Sequence, residues 1–95
     1  MGGWDYIMAN RRDGTLYVGV TADLIRRVWE HREGAGSAFV RRHGLTRLVR
    51  FERHDEIRAA IQLETSLKNW PRAWKVRLLA KDNPEWVDLY PSLIG

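Results

Sequence analysis

The stretch Leu16-Tyr17-Val18-Gly19-Val20-Thr21-Ala22-Asp23-Leu24-Ile25-Arg26-Arg27-Val28-Trp29-Glu30-His31 changes its periodicity halfway along. Up to Val20, Leu16, Val18 and Val20 alternate with Tyr17 and Gly19, the period-two pattern of a strand with its Leu/Val face in the core. From there Leu24, Ile25, Val28 and Trp29 recur at spacings of three and four, which predicts an amphipathic helix over 22–33. Thr21 is the expected cap and Asp23 an expected first-turn acid. Upstream, Tyr6-Ile7-Met8-Ala9 is a second strand-like run, and the Asp13-Gly14 pair in the connection Asn10-Arg11-Arg12-Asp13-Gly14 signals a hairpin turn.

Working forward, Gly34 and Gly36 end the first helix, and Ser37 to His43 can form a short second one before Gly44. Leu48 to Arg53 reads as a third strand. Asp55 is placed to cap a long third helix marked by Ile57, Ala60, Ile61, Leu63 and Leu67. Pro71 fits the first turn of a fourth helix bearing Trp74, Leu78 and Leu79, which Asn83-Pro84 stops. The tail is expected to pack through Trp86 and Leu89, and the tryptophans to serve mainly as core. This order predicts one domain over 1–95, an α/β chain of the α+β type with a small three-stranded antiparallel sheet flanked by helices.

The composition of the 95 residues, 44% apolar and 29% charged, is that of a folded globular chain and argues against disorder. Cysteine is absent, which excludes disulfides, cysteine-ligated zinc, iron–sulfur clusters and thiol catalysis. No apolar run approaches the roughly 20 residues needed to span a bilayer, and Met1-Gly2-Gly3-Trp4-Asp5 lacks the basic start of a signal peptide. A cytoplasmic protein without membrane association is expected. The net charge of +4 is unevenly distributed: residues 1–50 hold nine Arg, no Lys and five acids, whereas residues 51–95 hold seven bases and seven acids. A guanidinium meets phosphate in a bidentate fork, so an arginine-rich half points to an anionic, phosphate-bearing partner.

Three sets of residues stand out. Tyr17 lies beside Gly19 on the strand face opposite Leu16, Val18 and Val20, where the missing side chain leaves backbone open to a ligand. Tyr6 is a second tyrosine on the paired strand. Arg27 and His31 are four apart and share a helix face. Glu64 falls among Ile61, Leu63 and Leu67, and a carboxylate bordering an apolar stripe needs a partner, either an arginine or a metal ion.

Together these residues resemble the GIY-YIG nucleases. Trp4-Asp5-Tyr6-Ile7 stands where that family has its first Gly-Ile-Tyr element, and Tyr17-Val18-Gly19 matches its second. Gly19 to Leu24, followed by Arg26-Arg27 and Glu30-His31, is similar to the family's entry into a helix with an essential arginine and a frequent histidine. Ala60-Ile61-Gln62-Leu63-Glu64, then Leu67-Lys68-Asn69-Trp70, resembles the segment with the metal-binding glutamate. Trp74-Lys75 and Asn83-Pro84-Glu85-Trp86-Val87-Asp88-Leu89 resemble the short bacterial branch. The resemblance implies a hydrolase: a metal-dependent endonuclease acting on DNA, with roles in repair or recombination. It implies catalytic Tyr6, Tyr17, Arg27, His31 and Glu64, with Glu64 holding Mg²⁺ or Mn²⁺, Tyr17 as base, Tyr6 positioning the water and His31 donating to phosphate or leaving group. Arg11, Arg12, Arg26, Arg32, Arg41, Arg42 and Arg47 are the expected contacts to the DNA backbone, with Asn83 at the rim and a monomer favoured. A silent nucleic-acid-binding domain and a protein-interaction module are the competing readings.

Overall fold

The computed structural model describes all of residues 1–95. The hairpin forms as predicted from β1 (Gly3–Ala9) and β2 (Leu16–Thr21), followed by α1 (Leu24–Arg32), α2 (Ala38–His43) and β3 (Arg47–His54). Helices α3 (Ile57–Asn69), α4 (Arg72–Asp82) and a short α5 (Tyr90–Ile94), absent from the sequence reading, complete the chain. The sheet is antiparallel in the order β2-β1-β3, which makes β2 a free edge. No helix is long and apolar enough to cross a membrane.

As the central strand, β1 is buried on both faces, and its alternation sends side chains into two cores. Tyr6 and Met8 join Leu24, Val28, Val40, Leu45, Leu48 and Tyr90, beneath α1, α2 and α5. Ile7 and Ala9 join Val18, Val49, Leu67, Leu79 and Trp86, beneath α3 and α4. Helices therefore flank the sheet as expected and cover both of its faces, that of Tyr17 included. A bulge in β3 shifts the register between Ile7, opposite Arg50, and Met8, opposite Leu48.

Local details differ from expectation where a side chain found a better partner. Asp23, not Thr21, caps α1 by accepting from the Arg26 amide at 3.2 Å, while Thr21 Oγ1 braces the turn by accepting from the Asp23 amide. Asp55 does not cap α3; its carboxylate pairs with Arg53, and Glu56 takes the cap position without a side-chain bond. On α1 the buried residues are Leu24, Val28 and His31, while Ile25 and Trp29 face outward. Trp74 is exposed as well, so the tryptophans divide between core and surface.

Asp5 is fully buried on β1. An unpaired carboxylate there would be very costly. Arg50 and His54, both on β3, bond its two oxygens, His54 Nε2 at 2.7 Å from Oδ2, and Arg50 also reaches Glu52 at 2.7 Å. The tail is latched by Asn83, whose amide donates to Val49 O at 3.0 Å and Val87 O at 2.9 Å and whose oxygen accepts from the Val87 amide. Asn83 is buried with its amide group fully used, so it is a structural latch and not the rim residue expected from sequence.

Candidate active site

Tyr6 projects from β1 across Gly19, its register partner on β2. A methyl group on Gly19 would lie 2.4 Å from Tyr6 Cζ and 2.5 Å from its hydroxyl. The missing side chain thus makes room for the Tyr6 ring, not for an outside ligand. Tyr6 is completely buried, and its hydroxyl lies 2.8 Å from His31 Nε2. Gly36 performs the same service for His31, because a Cβ there would come within 2.4 Å of Nδ1.

Nδ1 of His31 is buried without a hydrogen-bond partner. A buried orphan N–H is rarer than an under-satisfied acceptor, so the favoured tautomer carries its proton on Nε2 and donates it to the Tyr6 oxygen. The Tyr6 proton is then free to be donated elsewhere. Burial lowers the His31 pKa below its usual value, and the Arg27 cation adds to the effect while Glu30 opposes it. His31 is therefore neutral at pH 7. Burial also pushes the Tyr6 phenol well above its ordinary range, reinforced by Tyr17 and Glu64 and opposed by Arg27. The direct neighbours of Tyr6 are His31, through its hydroxyl, and the Tyr17 ring, whereas Arg27 and Glu64 act on it through their charges.

Tyr17, opposite Met8 on the same sheet face, is half-buried. Its ring lies 6.4 Å from Tyr6, 5.6 Å from His31 and, nearly parallel, 6.2 Å from Phe39 on α2. Phe39 in turn sits 4.4 Å from His43. The pattern of the first 31 residues carries no trace of Phe39, because only folding brings α2 over β2. Arg27 flanks the buried face of α1, with Nε 3.2 Å from Glu30 Oε1. Burial works against its charge, but Tyr6 and Glu30 outweigh that and raise its pKa, so it stays cationic. Glu64, on α3, is largely buried, with a side-chain exposure of 13%, and one oxygen, Oε2, meets Lys68 Nζ at 3.0 Å. Of the two partners the sequence left open, an arginine or a metal ion, the place of the arginine is taken by a lysine one turn on. The other oxygen has no hydrogen-bond partner in the protein, which fits a monodentate ligand for a hard cation that keeps several waters.

Of the arginines expected to meet phosphate, several are already engaged. Arg12 pairs with Glu85, Arg26 with Glu30, and Arg47 donates to Trp86 O. Arg32 bonds Asp88 at 2.6 Å and Thr46 O at 3.0 Å and lies over the Tyr90 ring. Those bonds make Arg32 and Arg47 braces for the tail, not free phosphate contacts. Arg11 and Arg42 have no ion-pair partner, and Arg41 has only a long bond to Gly34 O. Asp5, Glu52 and His54 form a second group with metal-ligand chemistry, their ligand atoms within 4.8 Å of one another. Arg50 bonds both carboxylates, and that cation supplies the counter-charge a metal would bring.

The GIY-YIG catalytic domain matches residues 2–77. A UPF0213 protein of Natronomonas pharaonis is 43% identical over 70 residues, covering 74% of this chain and 82% of that protein. One of Aeromonas salmonicida is 34% identical over 87 residues, and this chain spans only 63% of its length. The solution NMR structure of a UPF0213 protein from Bacillus halodurans superposes with a TM-score of 0.55 at 30% identity, covering 86% of each chain. With the match running from the first strand into α4, and so through both tyrosines, Arg27, His31 and Glu64, the chain belongs to the GIY-YIG nuclease-type family and is related to the UPF0213 proteins.

Proposed function

We propose that this protein is a metal-dependent endonuclease that hydrolyses phosphodiester bonds in DNA. The observation that supports the reading is the mutual contact of Tyr6, Tyr17 and His31, from β1, β2 and α1, with the charges of Arg27 and Glu64 acting on the Tyr6 phenol. Phosphodiester hydrolysis needs a deprotonated water, neutralisation of charge on the phosphoryl oxygens and help for the leaving oxygen. Tyr17, the only one of the two tyrosines with exposed surface, is assigned as the base. Tyr6, as fully buried as His31 and held protonated, backs the site from β1 in place of the water-positioning role expected from sequence. His31 is too buried to reach a phosphate and acts as a positioning residue through Tyr6, in place of the direct donor role expected from sequence. Arg27 pairs with the phosphate oxygens, where its charge is worth most as negative charge builds up. The free oxygen of Glu64 would hold one Mg²⁺ or Mn²⁺, which supplies charge neutralisation and polarises bound water. A monomer working in the cytoplasm on repair or recombination intermediates is the accompanying expectation.

The test is Glu64→Gln with plasmid DNA, with and without Mg²⁺ or Mn²⁺. Cleavage by the parent should require metal, and the variant should lose it by about a hundredfold or more while keeping its DNA affinity, since a carboxylate beside phosphate is removed. Equal cleavage by the variant would overturn the role of Glu64. A parent that binds DNA yet never cuts it would make the domain a silent binder.

A further inference from the structure

Beyond the family-type site, the surface near the hairpin turn carries a second concentration of positive charge. A hollow of about 480 Å³ is lined by Arg11, Asp13, Gly14, Thr15, Leu16, Arg72 and Lys75. Its walls come from two elements, the β1–β2 turn and the first turn of α4. The Arg72 guanidinium closes the join by donating to Gly14 O at 2.6 Å and Asp13 O at 3.0 Å, so the charge is held in place by the backbone it touches. None of the three cations has an ion-pair partner. The one acid on the rim, Asp13, leans towards Arg12 at 3.9 Å. Three cations facing one acid leave a net positive hollow with Leu16 as its single hydrophobic residue, which suits a hydrated anion better than an apolar ligand.

Its position suggests which anion. Thr15 and Leu16 lead straight into β2, the free edge of the sheet, and Gly19, against which the Tyr6 hydroxyl sits, lies four residues beyond Thr15 on that edge. At about 3.3 Å per residue the separation is roughly 13 Å. Phosphates of one B-form strand rise about 3.4 Å each along the axis while also winding around it, so a straight span of this length covers no more than a few nucleotides.

We infer that the Arg11–Arg72–Lys75 hollow is a remote phosphate subsite that holds the nucleic-acid backbone a few nucleotides from the bond being cut. The inference rests on the nuclease reading and extends it: β2 becomes a rail with chemistry at one end and an electrostatic anchor at the other. A strand gripped at two points cannot pivot about the scissile phosphate, and so the anchor fixes which bond reaches Tyr17 and Arg27. The α4 cations escaped the sequence reading because residues 51–95 are neutral in sum, and only the fold sets Arg72 and Lys75 beside Arg11.

The test uses Lys75→Gln and the double variant Arg11→Gln with Lys75→Gln. Neither side chain makes a bond within the protein, so both variants should fold. Arg72 is left intact because its bonds brace the turn. Affinity for a duplex of about 20 bp is measured without metal across a salt series, with Arg58→Gln, an unpaired cation at the start of α3, as the control for loss of charge alone. Each phosphate contact contributes about −0.9 to the slope of log K against log salt, so the double variant should be shallower by nearly 2 and Lys75→Gln by nearly 1, with Arg58→Gln close to the parent. Slopes equal to the parent's in a protein that still binds and cuts DNA would overturn the subsite while leaving the nuclease reading intact. A parent that neither binds nor cuts DNA would overturn both.

Discussion

His31 shows how much a single side chain can be asked to do. It fills the core face of α1 beside Leu24 and Val28, supports Tyr6 at 2.8 Å and leaves Nδ1 buried without a partner. Protonation would force an unpaired N–H and a charge into that space, which is why burial lowers its pKa. The sign follows directly. A group whose folded pKa lies below its unfolded value of about 6.5 contributes fully above 6.5, and the contribution is lost as pH falls from there through the folded pKa. The parent should therefore exceed His31→Gln in thermal stability most at about pH 7.5, and the gap should narrow as the pH falls below about 6.5. Parallel losses in the two proteins would mean that His31 is not the titrating group.

Among the elements, the tail after α4 depends on one residue. Asn83 joins α4 to β3 through Val49 O and to the following turn through Val87, while Asp88 Oδ1 accepts from the Leu48 amide at 3.0 Å. Removing the amide strands buried partners on both sides. Asn83→Ala should cost about 2 to 3 kcal/mol in urea denaturation, with DNA affinity unchanged at temperatures where the protein stays folded. A loss of affinity without a loss of stability would return Asn83 to the rim of the site. The fold makes a similar distinction on α1, where Arg27 and His31 share a face but only His31 enters the core.

Across the whole molecule, the basic surface is smaller than the arginine count suggests and differently placed. Arg32 is tied to Asp88, Thr46 and the Tyr90 ring, whereas Arg42 on α2 is exposed and makes no bond within the protein. Arg32→Gln should lower stability by about 1 to 2 kcal/mol and leave the salt dependence of DNA binding alone. Arg42→Gln should do the reverse, leaving the melting temperature unchanged and making the salt slope shallower by nearly 1. A shallower slope for Arg32→Gln would show that its bonds open to admit phosphate.

The hairpin and the order of elements from β1 to α4 were legible in the sequence, because period-two and period-3.6 patterns and turn chemistry act within a few residues of chain, and the five candidate site residues were legible only through their resemblance to a nuclease family; the central place of β1 and the short α5 were not. The purpose of Gly19, the burial of His31, the capping of α1 by Asp23 and the pairing of Glu64 with Lys68 were not. They depend on which neighbour lies within reach, and β1 with Gly19, α1 with Gly36, and the β1–β2 turn with α4 become neighbours only when the sheet is covered on both faces. Charge behaves in the same way. The sequence determines that there are 16 cations, and tertiary structure decides which of them are spent holding the fold together and which remain free to meet a phosphate.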